Sequence, residues 1–106
     1  MDNEIPEIDI DALDALRSEG SPVLDVRELD EWQEAHIPGV VHIPLTELVE
    51  RVDEVPTAES LPIVCAAGGR SMQAAQFLAD RGLVTVNVAG GTKAWIASGR
   101  LTERGA

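Results

Sequence analysis

Leu61-Pro62-Ile63-Val64-Cys65-Ala66-Ala67-Gly68-Gly69-Arg70-Ser71 runs into an amphipathic stretch ending at Arg81, and the rest of the chain is best read outward from this segment. Ile63 to Cys65 is a short apolar run of the kind a sheet buries on both faces. From Ser71 to Arg81, Met72, Ala75, Leu78 and Ala79 share one helical face, and Gly82 is the expected stop. A strand that hands over to a helix through small residues is half of a βαβ unit. In open α/β sheets ligands bind beyond the carboxyl end of such a strand. Upstream, Asp9 is placed to cap a helix in which Ile10, Leu13 and Leu16 recur until Gly20. Val23 to Val26 reads as a strand, Glu28 to Ala35 as a short acidic helix, and Val40 to Ile43 as a strand closed by Pro44. Thr46 to Val52 reads as a further helix, and residues 55–60 as a loop. Downstream, Val84, Val86 and Val88 alternate as a strand, Gly90-Gly91 turns the chain, and Lys93 to Ser98 forms a last helix. Strands alternating with helices at this spacing predict parallel βαβ units in a three-layer α/β sheet. Pro62 lacks a ladder donor, which predicts a late strand start or a bulge there.

Composition bounds the function. The 106 residues hold 19 acids and 8 bases, a net charge of −11, with 44% hydrophobic and 25% charged residues. Those fractions predict one ordinary domain over 1–106, with its core at about 8–99. So acidic a surface repels phosphate backbones and anionic headgroups, and three aromatic residues leave little to stack on bases, so neither nucleic acid nor membrane is an expected partner. Met1 to Asp9 carries four acids and no apolar run, unlike a secretory or transit peptide. With one cysteine, no disulfide forms within the chain, which fits a reducing cytoplasm.

Cys65 stands where the strand ends. Ala66, Ala67, Gly68 and Gly69 allow backbone amides to curl around its sulfur with little steric cost. Arg70 and the start of the helix at Ser71 add positive potential, and cysteines so placed titrate at about 3.5 to 7.5 rather than near 8.5. The same residues also suit an inert buried thiol ahead of a tight turn. His36 and His42, six apart around Pro38-Gly39, are not at metal-ligand spacing.

Further motifs come in a fixed order: Leu24-Asp25-Val26-Arg27-Glu28-Leu29-Asp30-Glu31-Trp32, His36-Ile37-Pro38-Gly39-Val40, Ile43-Pro44-Leu45, the Cys65 to Ser71 loop, and Gly90-Gly91-Thr92-Lys93-Ala94-Trp95. Together, from about Ile8 to about Gly99, they resemble a single-domain rhodanese, a sulfurtransferase. The resemblance implies a rhodanese-like three-layer fold, a five-stranded parallel sheet with helices on both faces. Cys65 would head the loop after the fourth strand, with Ala66, Ala67, Gly68, Gly69, Arg70 and Ser71 as the substrate-binding cradle. It further implies that Cys65 takes a sulfane sulfur from a donor such as thiosulfate or a persulfide, small or protein-borne. The outer sulfur then passes to cyanide or a thiol, with no metal or organic cofactor. Four residues separate Cys65 from Arg70, whereas phosphatases and arsenate reductases of related fold place five in that interval and usually a His before the Cys, here Val64. Family loops often carry a polar or charged residue after the Cys. Ala66 and Ala67 offer only amides, which points away from dianionic thiosulfate and toward persulfides.

Asp25 and Arg27 match the family's turn after the second strand, where a structural role near the site is expected. Trp32 and Trp95 read as packing residues, and Lys93 as a cation at the site mouth if its helix points there as in the family. The acidic run Asp25 to Glu34 is either a solvated face or a dock for a basic protein partner, the second being how a non-catalytic module of this fold would work. Residues 1–60 hold 3 bases and 17 acids, and residues 61–106 hold 5 and 2, so the half with Cys65 is mildly basic.

Overall fold

Four apolar runs and one short amino-terminal segment become strands because helices cover both faces of the sheet they form. A computed structural model describes residues 4–105. In chain order the strands are β1 (Glu7–Ile8), β2 (Leu24–Asp25), β3 (Val41–His42), β4 (Leu61–Val64) and β5 (Thr85–Val88). The helices are α1 (Ile10–Ser18), α2 (Leu29–Glu34), α3 (Gly69–Asp80) and α4 (Gly91–Ala97). All strand pairs are parallel, in the spatial order β1-β5-β4-β2-β3. The chain winds outward from β2 to β3 and then returns to β4, so the strand order switches direction between β2 and β4. The crevice beyond their carboxyl ends is where this class of sheet binds ligands.

The two faces bury separate cores. Leu24, Val26, Ile43, Leu48, Leu61 and Ile63 pack with Ala74, Ala75 and Leu78 of α3 on one face. Val23, Ile37, Val64 and Val88 pack with Leu13 of α1 and Trp95 of α4 on the other. Asp9 caps α1 through its side chain, which accepts the Ala12 N–H at 2.9 Å. Trp95 is enclosed, with the Arg17 and Arg100 guanidinium groups each 5.4 Å from its ring. Trp32 is stacked between His36 at 3.6 Å and His42 at 4.6 Å.

Three expectations change. The helix expected over Thr46 to Val52 is instead two 3-10 turns, Leu45–Glu47 and Val52–Glu54. Pro44 before it, β-branched Val49 and Val52 within it and Pro56 after it leave too little chain for a stable α-helix. The apolar spacing survives, since Leu45, Leu48 and Val52 still pack on the core. The second change is at Pro62, which lies inside β4 in unbroken register, opposite Val86 of β5. Leu61 donates its N–H to Val84 of the β5 side, so alternation turns the Pro62 nitrogen toward β2. Pairing with β2 begins only at Ile63, so no ladder bond is lost. Third, β1 is a two-residue strand that no periodicity marks; it is held at the edge by Asn87 N–H to Pro6 and Ala89 N–H to Ile8. No helix among the described residues is long and apolar enough to cross a membrane.

Candidate active site

Cys65 leaves β4 at the centre of the sheet and is 1% exposed. Gly68 donates its N–H to the Cys65 Sγ at 3.1 Å, and its φ of +120°, a conformation that L side chains rarely adopt, turns the chain from there into α3. The helix after the loop starts at Gly69, two residues earlier than the apolar spacing indicates, so its first turn closes around the sulfur. The Ser71 hydroxyl lies 3.3 Å from Sγ. Burial pushes the Cys65 thiol up. Hydrogen bonds from the Ser71 hydroxyl and from the Ser71, Gly68 and Ala67 backbone N–H groups more than offset it, so the thiol sits below its ordinary range.

The Ser71 hydroxyl has a second partner, the Asn87 side-chain oxygen. The amide orientation is set by its other contacts, because Asn87 Nδ2 donates to Gly68 O at 3.1 Å and to Glu7 Oε2 at 2.9 Å. Its Oδ1 therefore accepts, and the single Ser71 hydrogen is divided between an amide oxygen and the sulfur. Asn87 thus ties β1, β5, the loop and α3 together. Nothing in the strand pattern around Val86 and Val88 points to this role. The available signal is a polar residue in a strand whose four positions are all buried. Removing the Ser71 hydroxyl is expected to raise the Cys65 pKa. The rising limb of iodoacetamide alkylation against pH should move to higher pH in Ser71→Ala than in the wild type.

Gly91 lets α4 approach. Thr92 N–H donates to Cys65 O at 2.8 Å and Lys93 N–H to Ala66 O at 3.0 Å. A Cβ on Gly91 would stand 2.6 Å from Ala66 O and closer still to Cys65 O, at a φ of +58°. Gly91→Ala is accordingly expected to cost about 2 kcal/mol, seen as a drop of roughly 10 °C in a thermal melt.

Arg70 does not hydrogen-bond to Cys65 among the described residues. Its guanidinium forks onto Glu31 of α2 at 2.7 and 2.8 Å and acts on the sulfur only through its field. The Arg70 hydrogen bond, opposed by partial burial, holds the Glu31 carboxyl at about 2. A carboxyl lowered on folding lends stability above its ordinary range, and this clasp is lost as pH falls from about 4.5 toward 2. The acidic run is thus more than a solvated face, since Glu31 fastens α2 to the Cys65 loop.

Asp25 ends β2 beside Val64 of β4, and Arg27 follows two residues on. Asp25 is fully buried and Arg27 is 5% exposed. Arg27 Nη2 donates to Asp25 Oδ2 at 2.9 Å and to Ala35 O at 2.9 Å, and Nε donates to both Asp25 oxygens. His42 Nε2 lies 2.7 Å from Arg27 O. Among the described residues no group of three or more His, Cys, Asp or Glu side chains is arranged to hold a metal ion. Above the loop lies a cleft of about 220 Å³ between α2 and α4, lined by Arg27, Asp30, Glu31, Glu34, Ala35, Ala66, Thr92, Lys93 and Ile96. Its walls carry carboxylates from the acidic half of the sequence, so the mildly basic charge of residues 61–106 is not the charge of the site mouth.

Relatives carry the same architecture. The chain is 41% identical over 96 residues to the "Putative sulfur carrier protein YrkF" of Bacillus subtilis, covering 88% of this chain and 52% of that protein, so it spans about half of that relative's length. It is 31% identical to the thiosulfate sulfurtransferase GlpE of Pseudomonas savastanoi pv. phaseolicola, over 90% of this chain and 91% of GlpE. A crystal structure of a rhodanese-related protein from Thermoplasma volcanium superposes with a TM-score of 0.84 at 33% identity, covering 92% of this chain and 97% of that one. The model of the rhodanese-like domain matches residues 9–98, which takes in every strand from β2 to β5, all four helices and the Cys65 loop. With the parallel five-stranded sheet and these matches in hand, the chain belongs to the rhodanese-like domain family.

Proposed function

We propose that this domain is a sulfurtransferase that carries a sulfane sulfur on Cys65, from a donor such as thiosulfate or a persulfide to cyanide or a thiol acceptor. One observation carries the reading. The Cys65 sulfur is held by the Gly68 N–H and the Ser71 hydroxyl in a loop that lowers its pKa. A thiolate in that cradle attacks the outer sulfur of thiosulfate, the S–S bond to the sulfonate breaks, and sulfite leaves with the bonding pair. The inward-facing N–H groups stabilise the resulting persulfide anion. Cyanide or a thiolate then attacks the outer sulfur, and Cys65 returns as the thiolate. No proton acceptor is required, which leaves Asp25 and Arg27 a supporting role. Sulfurtransferase names among the relatives support this class of chemistry. A reducing cytoplasm, which keeps the thiol free, suits it.

Phosphoryl transfer is disfavoured by the loop itself. Arg70, which in that chemistry would fork onto the phosphoryl oxygens, is already forked onto Glu31. The test is incubation with thiosulfate or another sulfane donor followed by intact mass measurement. One added sulfur atom, removed by cyanide, is expected. No adduct from any sulfane donor would exclude the activity and leave a binding module, with the acidic α2 face as its dock.

A further inference from the structure

The cleft beside the Cys65 loop has walls of opposite charge. Asp30 and Glu34 lie one helical turn apart on α2, and both line one wall. Lys93 and Ile96, three residues apart on α4, line the other. None of Asp30, Glu34 and Lys93 has an ion-pair partner among the described residues. The other charged lining groups are already paired, Arg27 with Asp25 and Glu31 with Arg70. Ala66 and Thr92 also line the cleft next to the cysteine, Ala66 following Cys65 in the loop and Thr92 donating its backbone N–H to Cys65 O. Thr92 is 1% exposed, and its buried side-chain hydroxyl has no hydrogen-bond partner among the described residues, which leaves an unpaired polar group beside the cleft.

These features together favour one kind of donor. Dianionic thiosulfate meets two unpaired carboxylates against one unpaired lysine, in a chain of net charge −11. A volume of about 220 Å³ is below that of pockets for drug-sized ligands and suits a molecule the size of an amino acid. We propose that the preferred sulfur donor is a zwitterionic α-amino-acid hydropersulfide of the cysteine hydropersulfide type, its ammonium toward Asp30 and Glu34 and its carboxylate toward Lys93. This rests on the sulfurtransferase reading and names its substrate class. In the transfer the Cys65 thiolate attacks the outer sulfur of R–S–SH. The new Cys65 S–S bond forms as the R–S–S bond breaks, and R–S⁻ leaves with the electron pair. The outer sulfur keeps its proton or releases it to water, and nothing is oxidised or reduced overall.

The experiment measures the rate of sulfur arrival at Cys65, by rapid quench and intact mass. Three donors are compared, cysteine hydropersulfide, N-acetylcysteine hydropersulfide and thiosulfate, on wild type and on the exposed double variant Asp30→Asn/Glu34→Gln. The wild type should favour cysteine hydropersulfide. The double variant should slow that donor about fivefold while speeding thiosulfate and the N-acetylated donor, both of which lack the ammonium. Equal shifts for all three donors, or none, would overturn the donor assignment while leaving sulfur transfer intact. No sulfur uptake from any donor would overturn both readings.

Discussion

Cys65→Ser is expected to take up no sulfur from any donor while folding as the wild type does. The hydroxyl stays protonated at neutral pH, and an oxygen bonded to sulfur has no counterpart to the persulfide that hands its outer atom to an acceptor. The loop, by contrast, has every reason to remain. Gly68 N–H and the Ser71 hydroxyl, now beside Sγ, are able to donate to a serine oxygen, so the buried position is left without an unmet polar group. The cost in stability is therefore about 1 kcal/mol. Intact mass after incubation with donor and a thermal melt of the same sample read the two effects separately. A sulfur adduct on the serine variant, which has no cysteine left, would overturn the persulfide assignment.

Asp25→Ala is expected to be the most destabilising single change around the site, at about 3–5 kcal/mol, because it leaves the Arg27 guanidinium charged, buried and facing only carbonyl groups. Against a typical domain stability of roughly 5–15 kcal/mol, that removes a large share of the total. Arg27 also bridges β2 to the carbonyls of Glu31 within α2 and Ala35 at its carboxyl end, so the wall of the cleft that carries Asp30 and Glu34 should loosen with it. Urea unfolding checks the magnitude. The double variant Asp25→Ala/Arg27→Leu should recover part of the loss, since it removes the stranded charge. If the double variant is as unstable as the sum of its parts, the pair is not coupled and the account fails.

Much of the architecture was legible in the sequence because both of its signals are local. Short apolar runs marked β2 to β5, and the helical spacing of Leu13 and Leu16 or of Ala75 and Leu78 marked α1 and α3, since a face that must be buried repeats with the period of its element. Residues 45–54 defeated that logic. Their spacing reports only which side chains turn inward, and 3-10 turns satisfy it as well as an α-helix does. β1 was illegible from periodicity because two residues carry no period; they are a strand only because β5 is there to pair with them.

The chemistry divides in the same way. A single cysteine at the end of a strand, followed by four small residues, an arginine and a helix, is a local arrangement, and its capacity to hold an anionic sulfur could be read from residue types alone. The company that loop keeps depends on contacts between residues far apart in the chain. Asn87, sixteen residues beyond Ser71, shares its hydroxyl, and Glu31, thirty-nine residues before Arg70, takes its guanidinium. The sign of charge over the site is the clearest case. Counted along the chain, the half with Cys65 is mildly basic. In three dimensions, parallel winding puts the carboxyl ends of β2 and β4 side by side, so acidic α2 after β2 becomes one wall of the cleft beside the Cys65 loop. The sequence by itself determined strands β2 to β5 and a lone cysteine at the end of one of them, because both depend on neighbours within a few residues. Only the tertiary structure decided which charges stand beside the Cys65 loop, because electrostatic interaction follows distance in space and not position along the chain.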